Sequence, residues 1–148
     1  MAIIDLNKKP IIVDRNNDIF IGIDLPFRKS GGSEGWFAST STTIKAVKNN
    51  IRLLLQTQKG ERLMQPQLGL NLQKYLFEQI TIDTKASIET DISDTFSFWL
   101  PFVEIVELQI DMGEDVDVGR NTIYISLTFR INKDPNTEDS IQVTLGEQ

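Results

Sequence analysis

The spacing of the apolar residues changes once along the chain, and this change limits the folds that the chain can adopt. Between residues 41 and 99 apolar side chains recur every three or four positions, which is the period of an amphipathic helix. Beyond Pro101 they alternate with polar residues, as in a half-buried strand. Helices followed by strands predict an α+β protein in which about three helices pack on one face of a small, mainly antiparallel sheet of roughly three or four strands.

Two helices are expected before residue 80. The first begins near Ser41, where the Ser/Thr cluster at 39–43 offers an N-cap, and Gly60 is expected to stop it. Its apolar face is formed by Ile44, Val47, Ile51, Leu54 and Leu55. A shorter helix follows Gly69 and ends near Glu78. We expect it to be held against the core by Leu72, Leu76 and Phe77.

A third helix and the strands complete the predicted domain. Thr81 is a candidate N-cap, Asp83 is favourable in the first turn, and Pro101 ends the helix. The apolar face of this helix is formed by Ile88, Ile92, Phe96 and Trp99. The strands present to the core Val106, Leu108, Ile110 and Met112, then Ile123, Ile125, Leu127, Phe129 and Ile131, then Ile141, Val143 and Leu145. Polar segments at 113–121 and 132–139 are predicted to be hairpin connections.

Residues 1–40 are predicted to be an extended arm. Their apolar pieces are short and are interrupted by Pro10 and Pro26, so no helix is expected there. The remaining residues, 41–148, are predicted to form one α+β domain, because a chain of 148 residues can bury one core but is too short for two ordinary domains.

The composition argues against several classes of function. A formal net charge of −6 disfavours a nucleic-acid partner bound through its phosphates. The start of the chain does not resemble a signal peptide and no run of about 18 apolar residues occurs, so neither export nor a membrane partner is expected. The sequence contains no histidine and no cysteine, which removes the commonest metal ligands and catalytic groups. We therefore expect no cofactor, no metal and no catalytic residue.

The acidic residues Asp111, Glu114, Asp115 and Asp117 do not follow a calcium-binding pattern. They lack the spaced ligands of a helix-loop-helix calcium site, and Thr122 stands where its last acidic ligand would be. We interpret the cluster as an exposed hairpin loop.

The stretch 57–78 reads TQKGERLMQPQLGLNLQKYLFE. It resembles the contractile-tail baseplate wedge family, a lysozyme-like family that includes the type VI secretion baseplate subunit. The shared positions are Thr57, Gly60, Glu61, Arg62, Pro66, Gly69, Leu72, Leu76, Phe77 and Glu78. Upstream, the segments DLPF at 24–27 and GWF at 35–37 are similar to the arm that precedes the first helix in many members.

The resemblance implies a structural subunit of a phage tail baseplate, assembled in the host cytoplasm into a six-fold symmetric virion structure. It implies a role in seeding the tail sheath, with the sheath subunit, other wedge proteins and, as a further option, tube or hub proteins as partners. The strand that carries Ile141, Val143 and Leu145 would then pair with an extended sheath segment. A baseplate subunit of a related contractile injection system is an alternative.

The chain departs from the family at residues 100–102. Many members have Glu-Pro-Arg where this chain has Leu100, Pro101 and Phe102. Because the family's triplet is implicated in subunit contacts, the resemblance implies that an apolar contact replaces a salt-linked one here.

Basic residues gather beside the apolar face of the first predicted helix, at Lys45, Lys48, Arg52 and Lys59. A basic stripe on an acidic protein predicts contact with an acidic partner, and a solvated helix face is the alternative. Arg62 likewise either binds a partner's carboxylate or pairs within the chain.

A glycoside hydrolase is the alternative function, because members of the family have been described as lysozyme-like. Glycoside cleavage requires two carboxylates, and Glu61 and Glu78 are the candidates. For each of these glutamates, helix capping or surface pairing is the favoured explanation.

Overall fold

Two α-helices, one 3-10 helix and five strands lie in the part of the chain that the computed structural model describes, residues 14, 19–30, 36–78, 81–115 and 120–146. Their order is β1 (Gly22–Ile23), β2 (Ser39–Thr40), α1 (Thr43–Gln56), the 3-10 helix (Leu72–Phe77), α2 (Ile82–Trp99), β3 (Val103–Asp115), β4 (Arg120–Ile131) and β5 (Asp134–Leu145). The predicted α+β class and helix number are confirmed. The described part of the predicted arm contains no helix, and β1 pairs with β2 as a small hairpin.

The main sheet is antiparallel, with the order β3-β4-β5. The central strand sends its odd-numbered apolar residues into the core: Ile123, Ile125, Leu127, Phe129 and Ile131. In the register, Ile125 stands between Ile110 and Val143, so the three strands contribute to one apolar layer. Apolar residues of α1, α2 and the 3-10 helix join the same core. The alternation predicted for β4 and β5 is confirmed.

Strand β3 carries a β-bulge that reverses one predicted side chain. The register with β4 shifts between Ile105 and Glu107. Ile105 packs against the core and Val106 is exposed, contrary to the prediction that Val106 faces inward. A bulge inserts one residue without a partner, so a strict period of two fails at that point.

The strands are longer than their apolar patterns predict. Pairing of β3 with β4 continues to Asp115 and Arg120, inside the segment predicted as a loop. Strand β5 begins at Asp134, so the predicted connection 132–139 is wrong and only two residues separate β4 from β5. Main-chain pairing does not require apolar side chains, and polar strand ends therefore left no periodic signal. Asp117 lies outside the described residues.

Helix α1 is capped by a residue that is distant in sequence. Its N-cap position is Thr42, which makes no side-chain capping hydrogen bond. Instead, Thr43 donates to the Asp14 carboxylate from both its backbone N–H (3.0 Å) and its hydroxyl (2.7 Å). The predicted cluster contains the N-cap residue, Thr42, but the capping acceptor is Asp14, which satisfies one of the free N–H groups of the first turn and adds a favourable negative charge there.

The other two helices follow their predicted boundaries closely. Thr81 caps α2 by accepting a hydrogen bond from the Thr84 N–H at 3.2 Å, as predicted. In the 3-10 helix Phe77 is 90% exposed, so its predicted core role is wrong. Tyr75 is buried in its place and donates its hydroxyl to Asp91 at 2.7 Å. No described helix is long and apolar enough to cross a membrane.

Residues 57–70, hereafter the motif loop, are closed by two backbone hydrogen bonds. Leu70 donates to the Thr57 carbonyl at 2.9 Å, and Gly60 donates to the Pro66 carbonyl at 2.7 Å. Helix α1 has already ended at Gln56, so Gly60 lies within the loop and is not the helix stop that its position suggests. Gly60 and Gly69 both have positive φ, at 91° and 107°.

The two glycines are expected to respond differently to substitution. A Cβ at Gly69 would lie 2.2 Å from the Thr57 carbonyl oxygen, whereas a Cβ at Gly60 would meet nothing within 4 Å. Gly60→Ala should therefore cost only the positive-φ strain, about 1–2 kcal/mol. Gly69→Ala should cost clearly more, because the backbone must also move. Urea denaturation of both variants measures the difference, and equal losses would contradict the account of this junction.

Candidate functional site

The basic residues predicted as a stripe are largely used within the fold. Lys48 forms a salt bridge with Asp139 of β5 at 3.0 Å. Arg52 donates from Nη1 to the Leu25 carbonyl at 2.6 Å. Lys59 follows the end of α1 and is therefore not part of its surface, so its predicted place in the stripe is wrong. Lys45 remains exposed on α1. Charge reversal at Lys48 or Arg52 would consequently disturb the fold as well as any contact with a partner.

Polar side chains of helix α1 donate hydrogen bonds to main-chain carbonyl groups of the β1 region. Asn49 is buried and donates to the Ile23 carbonyl at 3.2 Å and to the Asp24 carboxylate at 3.4 Å, next to the contact of Arg52 with the Leu25 carbonyl. Hydrogen bonds from Arg28 and then Asn49 lower the pKa of the Asp24 carboxyl below its usual value. The hairpin is thus fixed to α1 by polar contacts, while its large apolar side chains stay exposed.

The motif loop stands between the C-terminal parts of α1 and α2. One cleft beside it is lined in part by Lys59, Pro66 and Phe98, and a second by Arg62, Leu53 and Leu100; Trp99 lines both. Arg62 is exposed, and no intramolecular side-chain partner is found for it in the described part of the chain.

Residues 100–102 divide between core and surface. Leu100 is buried, whereas Pro101 and Phe102 are exposed beside the turn that follows β4. The Pro101 carbonyl accepts from the Asn132 side chain at 3.2 Å, and the Phe102 carbonyl accepts from the Asn132 N–H at 2.9 Å. The exposed apolar surface of this triplet is therefore limited to Pro101 and Phe102.

The side chains predicted to mark the pairing strand lie in the core. Ile141 and Val143 are buried and Leu145 is partly buried against them. Their strand, β5, is an outer strand of the sheet, and in the described residues no strand pairs with its second side. A partner that adds to β5 would therefore bind its main chain and not these side chains.

Comparison with known proteins identifies the fold and its relatives. The profile of the family described as "Baseplate wedge protein gp25" matches residues 41–136. The chain belongs to this family. Baseplate wedge protein gp25 of Enterobacteria phage T4 is 24% identical over 130 residues, covering 87% of this chain and 92% of the T4 protein. The family matches the one that the stretch 57–78 suggests.

Two solved structures share the fold. A candidate tail lysozyme from Geobacter sulfurreducens has a TM-score of 0.61 and 22% identity, covering 74% of this chain and 95% of its own. A chain of the six-fold symmetrised baseplate of the anti-feeding prophage has the same TM-score and identity, covering 74% of this chain and 83% of its own. One of these structures belongs to a baseplate and the other carries a tail-lysozyme name, so the shared fold does not separate a structural function from an enzymatic one.

The carboxylates proposed for hydrolysis are not assembled into a described cleft. Glu61 accepts a hydrogen bond from the Gln58 N–H at 3.1 Å, which stabilises the turn that begins the motif loop. Glu61 and Glu78 are both exposed, and neither lines the clefts beside the loop. In the described residues no cluster of three or more acidic side chains is arranged to hold a metal ion.

Sequence reasoning overlooked the contacts that hold the hairpin to α1. Asp14 and Asn49 are single polar residues without a motif, and their partners lie more than twenty positions away. On a helical projection Asn49 lies opposite the apolar residues of the predicted helix, so the sequence gives no signal that this amide is buried and hydrogen-bonded.

Replacing Arg52 should loosen the hairpin. Arg52→Gln removes a charge-assisted hydrogen bond to a carbonyl, and we expect a loss of about 1.5 kcal/mol, the low end of the range because the bond is partly exposed. Amide hydrogen exchange should rise in residues 19–25. Lys45→Gln is the control, because Lys45 is exposed on the same helix. Equal exchange in both variants would argue against the anchoring role.

Proposed function

We propose that the protein is a structural wedge subunit of a contractile tail baseplate that initiates the sheath by accepting an extended sheath segment along β5. Family membership supports the baseplate location, because the T4 relative is a baseplate wedge protein and a chain of the same fold belongs to a prophage baseplate. The open edge of β5 is the observation that supports strand addition. Such binding needs no cofactor, since affinity comes from main-chain hydrogen bonds.

The two edges of the sheet are not equivalent. Strand β3 has a bulge and exposes Glu104, Glu107 and Asp111, and bulges and charged side chains both discourage pairing at an edge. Arg130 of β4 hydrogen-bonds Glu104 and lowers the pKa of its carboxyl, so this edge stays charged.

Strand β5 has none of these protections in its second half. Its exposed residues there are Ser140, Gln142 and Thr144, and its register with β4 is continuous from Glu138 to Leu145. Uncharged, regular edges favour strand addition. We therefore assign the sheath-binding edge to residues 140–145.

The direction of one N–H group supports this assignment. The Ser140 N–H donates to the carboxylate of its neighbour Asp139 at 2.8 Å. Because N–H groups alternate between the two sides of a strand, we infer that the N–H groups of Ser140 and Gln142 lie on the free edge. An incoming strand would meet the Gln142 N–H directly.

Removing this donor should block sheath initiation without unfolding the protein. Gln142→Pro deletes the N–H, and proline is tolerated on the open side of an edge strand. Gln142→Thr keeps the N–H and is the matched control. Mixing each variant with the sheath protein of the same tail and counting sheaths by electron microscopy tests this. Sheath initiation by a folded Gln142→Pro protein at the wild-type level would refute the assignment.

We further propose that the protein acts by binding and has no glycosidase activity. The role of Glu61 in the motif-loop turn and the exposure of Glu78 support this. Glycoside cleavage requires two carboxylates that face one scissile bond, and neither of these side chains lines the clefts beside the motif loop.

A cell-wall clearing assay separates the two functions. We expect no clearing of bacterial cell walls by the wild-type protein at concentrations at which a lysozyme control clears them. Clearing by the wild type that is lost in Glu61→Gln and Glu78→Gln would instead establish a hydrolase.

A further inference from the structure

We propose that the tip of the motif loop, residues 62–65, is a preformed knob that docks into an apolar pocket with an acidic rim on a different protein of the baseplate. The inference rests on the proposed baseplate function, but it concerns a surface separate from β5.

The tip presents two large apolar side chains to solvent. Leu63 is 97% exposed and Met64 is 95% exposed. Gln65 donates to the Arg62 carbonyl at 3.3 Å, so Leu63 and Met64 occupy the two corners of a tight turn. Turn corners are usually Gly, Pro, Asn, Asp or Ser. Apolar residues at such a position contribute nothing to the chain's own core, and grouped exposed apolar residues mark interaction sites.

The loop that carries the tip is held in one conformation. Two backbone hydrogen bonds, from Leu70 to Thr57 and from Gly60 to Pro66, join its two sides. A third bond within the loop runs from the Gln58 N–H to the Glu61 carboxylate. The approach of Gly69 to the Thr57 carbonyl fixes the base. A knob fixed before binding loses little conformational entropy on docking, which favours affinity. Methionine adds a side chain that adapts to the shape of an apolar pocket.

The charges beside the tip define the rim of the partner pocket. Arg62 is the first residue of the tip and lines one of the two clefts beside the loop, and Lys59 lines the other. Neither has a side-chain ion pair in the described residues. A pocket with carboxylates at its rim would pair with both, and Arg62 can bind a carboxylate through two N–H groups.

A second copy of this chain is a poorer occupant. Among the described residues, the cleft beside Arg62 is lined by no carboxylate, and the cleft beside Lys59 is lined by one, Asp94, whose charge Lys59 offsets. Neither cleft therefore offers an acidic rim to both Arg62 and Lys59 of another copy. A membrane is also disfavoured, because the apolar tip is only two residues long and the protein carries a net charge of −6.

The test compares two pairs of exposed apolar residues. Leu63→Ser with Met64→Ser removes the knob, and Phe77→Ser with Ile82→Ser removes an equally exposed pair elsewhere. Each full-length variant is expressed in a mutant whose tails lack this protein. Mass spectrometry of the purified tails then counts the incorporated copies. We expect incorporation to fall roughly tenfold or more for the knob variant, because central apolar contacts dominate binding energy, and to be unchanged for the control. Thermal unfolding of both variants should match the wild type.

The outcomes are separable from those of the proposed function. Knob variants incorporated at the wild-type level, or control variants lost to the same extent, would overturn the knob. Flotation of the wild type with phosphatidylcholine–phosphatidylserine vesicles that depends on Leu63 and Met64 would overturn it in favour of a membrane. Self-association in sedimentation that the knob variant abolishes would overturn it in favour of a second copy. Absence of the wild type from tails would overturn both proposals.

Arg62→Glu tests the acidic rim separately. We expect it to reduce incorporation as strongly as loss of the knob, with Lys45→Glu as the control for net charge. Normal incorporation of Arg62→Glu would contradict the acidic rim.

Discussion

The close approach of Gly69 to the Thr57 carbonyl determines how the helical half of the protein meets the sheet. After leaving α1 at Thr57, the chain forms the motif loop and comes back to Thr57 at Gly69. The hydrogen bond from the Leu70 N–H to the Thr57 carbonyl holds the two ends of the loop together. Leu70 and Leu72 then enter the core immediately after the junction. This junction sets the position of the 3-10 helix relative to α1. The 3-10 helix in turn contacts β4 and β5, so its packing on the sheet depends on the junction.

The two α-helices contact different outer strands of the sheet. Helix α1 packs over β5 and is tied to it by Lys48 and Asp139, while α2 packs over β3. Most exposed side chains of the sheet are polar, although Val106 and Tyr124 are exposed as well. Strand addition at β5 would extend the sheet next to α1, and the contacts of α1 with Ile23 and Leu25 would bring the hairpin close to the same region.

The sequence predicted those parts of the fold in which burial repeats with a regular period. Ile88, Ile92 and Phe96 on α2, and the odd-numbered residues of β4, follow such periods because one side of each element faces the core. Val106 was misplaced because a bulge changes the phase without any marker residue. The beginning of β5 was missed because pairing there involves polar side chains and Pro135. Asp14 was missed because a cap contributed from elsewhere in the chain has no local pattern.

The candidate functional surfaces were also predictable only in part. The stretch 57–78 identified the family, which the profile match confirms, yet charge spacing on α1 did not distinguish Lys48 and Arg52, which serve the fold, from Lys45, which does not. An ion pair between elements far apart in sequence cannot be read from a helical projection. The exposed Leu63 and Met64 were equally hidden, since an apolar pair in a sequence is usually taken as core.

The unequal edges of the sheet also limit how copies of this protein can associate with one another. If two copies paired through β5, each would use its open edge, and the joined sheet would end on both sides in the charged and bulged strand β3. Such pairing is symmetric and closes on itself. The fold thus permits at most a two-fold pair through its sheet and resists growth into a fibre, even though it exposes a strand to solvent.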